Sequence, residues 1–246
     1  MTTVIYFNYD FGRRIYMLIL GFQKMSLLDY PGKVAATVFT GGCNFRCPFC
    51  HNSGLVTDIR LQEAYDTEDV LAYLKARRGL LDGVAVTGGE PLLQKDIEEF
   101  LMAVKSLGYP VKLDTNGSYP DKLREVCEKK LVDYVAMDIK NTMEMYGKTV
   151  GIDDFDTAPI LESIRFLHSG AVDYEFRTTV VLPHHTVNRI EQMAKTIAPA
   201  PRYFLQRFTD SGHLIAPGGL SAADDETMEN MAENAREYIP CVEIRG

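Results

Sequence analysis

The chain has 246 residues, 46 % of them hydrophobic and 24 % charged, which is the length and balance of one large soluble α/β domain. Its formal net charge of −8 shows no basic face for nucleic acid, and the apolar run at residues 15–22 falls short of the roughly 20 residues of a membrane helix. Arg13-Arg14 imitates a secretory leader, but acidic Asp10 precedes it and no small-residue cleavage site follows, so a cytoplasmic chain is expected.

The first sixteen residues show no periodicity. Residues 1–20 are therefore expected to form an N-terminal extension, with Met17 an alternative start to Met1, and residues 21–246 a single domain. Residues 34–40 (VAATVFT), apolar and β-branched between Pro31-Gly32 and Gly41-Gly42, predict a strand. Residues 67–78 predict a helix with Thr67 as N-cap and Gly79 as its stop. Strands then alternate with helices: strand 83–87, helix 95–107, strand 111–114, helix 120–130, strand 133–138, helix 157–168, strand 174–182, helix 187–197, strand 202–208 and helix 222–238. A short strand at 242–245 closes the chain, and residues 209–221 read as a flexible surface loop. Such alternation predicts right-handed crossovers and parallel strands. Six units are too few for a closed eight-fold barrel, so the expected fold is α/β, an incomplete (β/α)6 TIM-like barrel.

Five polar segments fall at the C-terminal ends of successive strands: the cysteine loop, Gly88-Gly89-Glu90, Asp114-Thr115-Asn116-Gly117, Asp138-Ile139-Lys140 and Pro183-His184-His185. In a parallel barrel those ends share one rim, where ligands collect. Three of the five cysteines sit within eight residues, as Cys43-x3-Cys47-x2-Cys50. A disulfide framework would use an even set spread along a short chain; clustered thiols in a reducing compartment point to metal. Three thiolates on a tight loop hold three corners of an iron–sulfur cube and leave one iron open. The rival is tetrahedral zinc with His51 as fourth ligand, in a non-catalytic binding module. Adjacent Cys50 and His51 do not easily face one small ion. Cys127 and Cys241, far from the loop, read as small buried hydrophobes.

The segment Cys43-Asn44-Phe45-Arg46-Cys47-Pro48-Phe49-Cys50 resembles the C-x3-C-x-aromatic-C signature of the radical S-adenosylmethionine (SAM) enzymes. The resemblance implies a [4Fe-4S] cluster on Cys43, Cys47 and Cys50, whose open iron is chelated by the methionyl group of SAM. Reductive cleavage then yields a 5′-deoxyadenosyl radical that abstracts hydrogen. It further implies that Gly88 and Gly89 bring backbone close to the cofactor, that Glu90 pairs with its ammonium, and that Phe49 and His51 border its adenine. Asp29-Tyr30-Pro31-Gly32, Cys50-His51-Asn52, Asp114-Thr115-Asn116-Gly117 and Asp138-Ile139-Lys140 are similar to segments of the glycyl-radical-enzyme activating proteins, in the same order. By that likeness Thr115, Asn116, Asp138, Lys140 and Arg177 are cofactor-binding, and Asp114 with Asp138 holds a monovalent cation near the sulfonium. Residues 21–32 and the terminal Glu243-Ile244-Arg245-Gly246 look most like the activator of anaerobic ribonucleoside-triphosphate reductase. The expected partners are a glycyl radical enzyme and a flavodoxin or ferredoxin-type electron donor. A radical SAM enzyme acting on a small molecule or peptide, as in deazaguanine synthesis, is the alternative.

Overall fold

The computed structural model describes residues 15–246. Among them eight strands form one sheet in chain order: β1 (Ile19–Ser26), β2 (Ala35–Thr40), β3 (Gly83–Gly88), β4 (Val111–Thr115), β5 (Tyr134–Asp138), β6 (Asp173–Val180), β7 (Tyr203–Arg207) and β8 (Val242–Arg245). From β2 to β8 every pairing is parallel, whereas β1 lies antiparallel on β2. The sheet is open, ending at β1 on one side and β8 on the other. Crossovers are made by α2 (Thr67–Ala76), α3 (Ile97–Ser106), α4 (Pro120–Glu128), α6 (Ala158–His168), α7 (Val187–Ile197) and α8 (Asp225–Arg236), with the one-turn helices α1 (Ser53–Val56) and α5 (Tyr146–Val150) preceding α2 and α6 in their crossovers. Among the described residues no helix is long and apolar enough to cross a membrane.

The period of two along each strand sends alternate side chains to opposite faces. Val84, Val86, Val111, Leu113, Val135, Met137 and Phe176 belong to the main core with helix residues such as Phe100, Val104, Ile190 and Met193. The intervening residues meet on the other face, where Lys112 and Asp114 of β4, Tyr134 and Asp138 of β5, Glu175 and Arg177 of β6 and Arg245 of β8 pair with one another. The inner face is thus a paired polar network, and the outer face is the hydrophobic seam. At its end nearest the strand starts, Tyr30 of the Asp29-Tyr30-Pro31-Gly32 turn packs its ring 6.2 Å from that of Tyr134, and Thr37 donates to Asp29 at 2.6 Å.

Differences from the sequence reading have local causes. Strand β1 was not expected, because two register shifts against β2 break its alternation and its middle is exposed. Residues 15–20 are not an extension: Ile15, Met17 and Ile19 are buried in the core, and Leu18 accepts from the Gly41 N–H at 2.9 Å. The remainder of the expected extension, residues 1–14, lies outside the described residues. The cap of α2 is Asp66, whose carboxylate accepts from the Glu68 N–H at 2.7 Å, and Thr67 is already helical. Residues 209–221 carry no regular structure, yet they are tied down. Ser221 and Leu182 exchange backbone hydrogen bonds at 2.9 and 3.0 Å, Ala216 donates to the Pro48 carbonyl at 3.0 Å, and Ser53 donates to the His213 carbonyl. The segment straps the cysteine loop.

Beyond β3 the chain crosses that loop at backbone distance. The Gly89 N–H donates to Thr40 at 2.9 Å and the Glu90 N–H to Gly42 at 2.8 Å, and a Cβ on Gly89 would overlap the Gly42 carbonyl. Gly88 has φ +121°, and a Cβ there would overlap the Thr40 backbone. The glycine pair therefore serves loop-to-strand packing. Gly89→Ala is expected to lower stability by about 1–3 kcal/mol, the usual cost of overpacking, in urea unfolding of the metal-free chain. Gly218→Ala, where a Cβ meets open space, is the control and is expected to change stability by less than about 0.5 kcal/mol.

Candidate active site

The cysteine loop leaves β2 and runs to α1. Its shape is set by its own hydrogen bonds and by α5: the Phe45 N–H points at the Cys43 sulfur at 3.3 Å, Cys50 N–H donates to Cys47 at 3.1 Å, and Arg46 N–H donates to Val150 at 2.8 Å. The Phe45 ring meets the stacked pair of Tyr146 and Phe155 edge-on. Burial pushes the Cys43 thiol up to about 11 and the Cys47 thiol up to about 12, and raises Cys50 as well. A pocket that disfavours bare thiolates suits thiolates held by a metal group, which brings the compensating positive charge itself. Among the described residues no three His, Cys, Asp or Glu side chains converge closely enough for a single metal ion. A cluster spreads its ligands over three separate irons, which suits three thiols carried on one loop.

A cavity of about 190 Å³ opens beside the loop. Cys43, Cys47, Cys50, Phe49, His51, Gly88, Gly89, Asp114, Thr115, Asn116, Asp138, Lys140 and Arg177 all line it. Of the residues expected at the site, Glu90 is the exception. Its fully buried carboxylate is taken by the Leu92 N–H at 3.1 Å, the Thr115 hydroxyl at 2.9 Å and the Asn116 N–H at 2.7 Å. Glu90, expected to pair with the cofactor ammonium, is here a clamp between the Gly-Gly turn and the end of β4. Burial lifts its carboxyl to about 7 against the pull of those donors. Beyond the clamp, Asn116 reaches the Cys43 sulfur at 3.8 Å and the Asn44 oxygen at 3.0 Å.

The opposite wall is charged. Arg177 donates to Asp138 through Nε at 3.0 Å and to Asp114 through Nη1 at 3.2 Å, while Lys140 donates to the other Asp138 oxygen at 2.9 Å. Burial raises the Asp138 carboxyl, but Arg177 and Lys140 outweigh it and hold it at about 2. Asp114 is lowered for the same reason, by Arg177 and Lys112 against burial. Lys140 and Arg177 are in turn held more firmly protonated: burial opposes their charge, and the two aspartates overcome it.

Sequence reasoning placed Pro183-His184-His185 on the rim without giving either histidine a task. His185 is fully buried; its ring accepts from the Val181 N–H at 2.9 Å and bonds the Lys140 carbonyl at 2.8 Å, and burial drops it to about 4, so it is neutral. It holds the backbone from which Lys140 projects. Phe49 packs against both histidines, at ring distances of 5.7 and 6.2 Å, and the His51 Nε2 bonds the Thr209 carbonyl at 2.6 Å. Lys112 was missed outright; its position two residues before Asp114 on a strand was the available signal. Because Glu90→Ala strands two buried backbone donors, it is expected to cost about 2–6 kcal/mol in urea unfolding of the metal-free chain. A Glu90 that only met a ligand would show no such loss.

Comparison with known proteins agrees with this geometry. Residues 37–197 match the model of the radical SAM superfamily. A protein of Methanocaldococcus jannaschii named as a glycyl-radical enzyme activating enzyme is 32% identical over 237 residues, covering 93% of this chain and 95% of its own. The pyruvate formate-lyase-activating enzyme of Listeria monocytogenes is 31% identical over 156 residues, 59% of this chain and 61% of that protein. Among solved structures, Streptococcus suis SuiB bound to S-adenosylmethionine superposes with TM-score 0.65 at 14% identity over 83% of this chain and 48% of that one. QueE from Escherichia coli gives TM-score 0.55 at 15% identity over 93% of each chain. These structures show a shared fold, the open radical SAM partial barrel. The chain belongs to the radical SAM superfamily and, within it, to the glycyl-radical enzyme activating enzymes.

Proposed function

We propose that this enzyme installs a glycyl radical on an anaerobic ribonucleoside-triphosphate reductase in the cytoplasm, with a flavodoxin or ferredoxin-type protein as electron donor. The observation that carries the activating chemistry is a cavity lined by three cysteines on one side and by Asp114, Asp138, Lys140 and Arg177 on the other. Cys43, Cys47 and Cys50 would hold the [4Fe-4S] cluster. Lys140 and Arg177 would receive the methionyl carboxylate of SAM, one as a point charge and the other as a planar fork. When bound, the pair supplies reductive cleavage of the sulfonium and, through it, hydrogen-atom abstraction.

The chain's own work is orientation and exclusion of water. His185 and Asp138 fix Lys140 from its backbone and from its ammonium. Thr115 and Asn116, locked by Glu90, hold the floor beside Cys43. The strap at residues 209–221 shields the outer side of the cysteine loop through Ser53 and Pro48. The reductase as partner rests on the likeness of residues 21–32 and 243–246, which lie in β1 with the turn after it and in β8 with the residue after it.

Two outcomes test this. Serine at Cys43, Cys47 or Cys50 is expected to abolish the brown chromophore after anaerobic reconstitution and 5′-deoxyadenosine release with dithionite, whereas Cys127→Ser, in the core of α4, keeps both. Mixed with the candidate reductase and reductant, the reconstituted enzyme is expected to give a glycyl doublet by electron paramagnetic resonance. Release of 5′-deoxyadenosine without that doublet would retain the chemistry and reject the partner.

A further inference from the structure

The carboxylates of Asp114 and Asp138 offer four oxygens to the cavity, and each already accepts from a cationic side chain. Asp138 accepts from Arg177 Nε at 3.0 Å and from Lys140 Nζ at 2.9 Å. Asp114 accepts from Arg177 Nη1 at 3.2 Å and, at its other oxygen, from Lys112 Nζ. Hard cations bind through oxygen lone pairs that collect around them, and each of these oxygens already faces a cationic donor that a further cation would meet at close range. Charge argues the same way: two aspartates stand against three cationic side chains, on the wall that is to meet a sulfonium. The family likeness implies a monovalent cation here, and the residues present do not fit one.

Lys112 accounts for the difference. Arg177 and Lys140 line the cavity and are placed to turn toward a ligand carboxylate, whereas Lys112 does not line it. It is 2 % exposed, two residues before Asp114 on the same face of β4, and among the described residues its ammonium donates to Asp114 alone. It therefore stays on Asp114 whether or not the other two are recruited.

We infer that the Lys112 ammonium is a built-in replacement for the monovalent cation, a positioning residue that neutralises Asp114 and makes SAM binding independent of sodium or potassium. The inference rests on the reading of this cavity as the SAM site. Two measurements test it, one of which needs no SAM. In the first, SAM binding to the reconstituted enzyme is titrated calorimetrically in NaCl, KCl and tetramethylammonium chloride at equal ionic strength. The wild-type Kd is expected to stay within about twofold across the three salts, and Lys112→Met to weaken about tenfold or more in tetramethylammonium and to recover with sodium or potassium, in keeping with one lost charge contact. In the second, ²³Na relaxation of the metal-free chain is expected to show saturable sodium binding in Lys112→Met and none in the wild type. Saturable binding in the wild type, or a wild-type Kd that follows the cation, overturns the inference. So does a folded Lys112→Met chain that binds no sodium and is indifferent to salt, because the lysine is then only structural. Lys112→Gln carries the same expectations should Lys112→Met not fold. A wild type that binds no SAM in any salt rejects the site reading, and the sodium measurement still decides the cation question.

Discussion

Pairing of charge on the inner face of the sheet is the constraint around which the rest is arranged. Lys112 and Asp114 of β4, Asp138 of β5, Arg177 of β6 and Lys140 just past β5 are paired with one another, and each is buried enough that an unmatched charge would be costly. Breaking such a set by removing one member typically costs about 3–5 kcal/mol, because the partner is left charged and dry. Replacing a whole set with apolar residues is often neutral or better, so the network is poor evidence for stability, and it is the lining of the cavity by Asp114, Asp138, Lys140 and Arg177 that suits a ligand carrying charge. A sulfonium nucleotide with an ammonium and a carboxylate is such a ligand.

Around that wall the fold spends buried hydrogen bonds on immobility. Glu90 and His185 work from behind, one tying the Gly-Gly turn to β4 and the other tying the loop after β6 to the Lys140 carbonyl. Both titrate far from their ordinary ranges through burial: Glu90 rises to about 7 and His185 falls to about 4. Neither reaches the cavity itself. A perturbed titration here marks a support rather than a reagent, and geometry separates the two where the shift alone does not.

The cysteine loop illustrates how much of a site comes from its second layer. Its three thiols are carried by a segment held to α5 through Arg46, to β3 through the Gly88–Gly89 crossing and to residues 209–221 through Pro48 and Ser53. These contacts place thiols whose own chemistry is unremarkable: burial leaves all three harder to ionise than a free cysteine. Their readiness for metal lies in arrangement.

The sequence alone was enough for the parallel α/β order, the cysteine spacing and the convergence of polar segments at the ends of strands, since these are local patterns with fixed periods. Thirteen of the fourteen expected site residues line one cavity for that reason. Strand β1 escaped because bulges destroyed its period, and residues 15–20 because their partners are the Gly41 backbone and core side chains distant in sequence. Only the tertiary structure decided that Glu90 is a clamp, that His185 holds the Lys140 backbone and that Lys112 occupies Asp114. Each of those roles is defined by a partner or a cavity boundary brought close by the sheet, and no spacing along the chain encodes it.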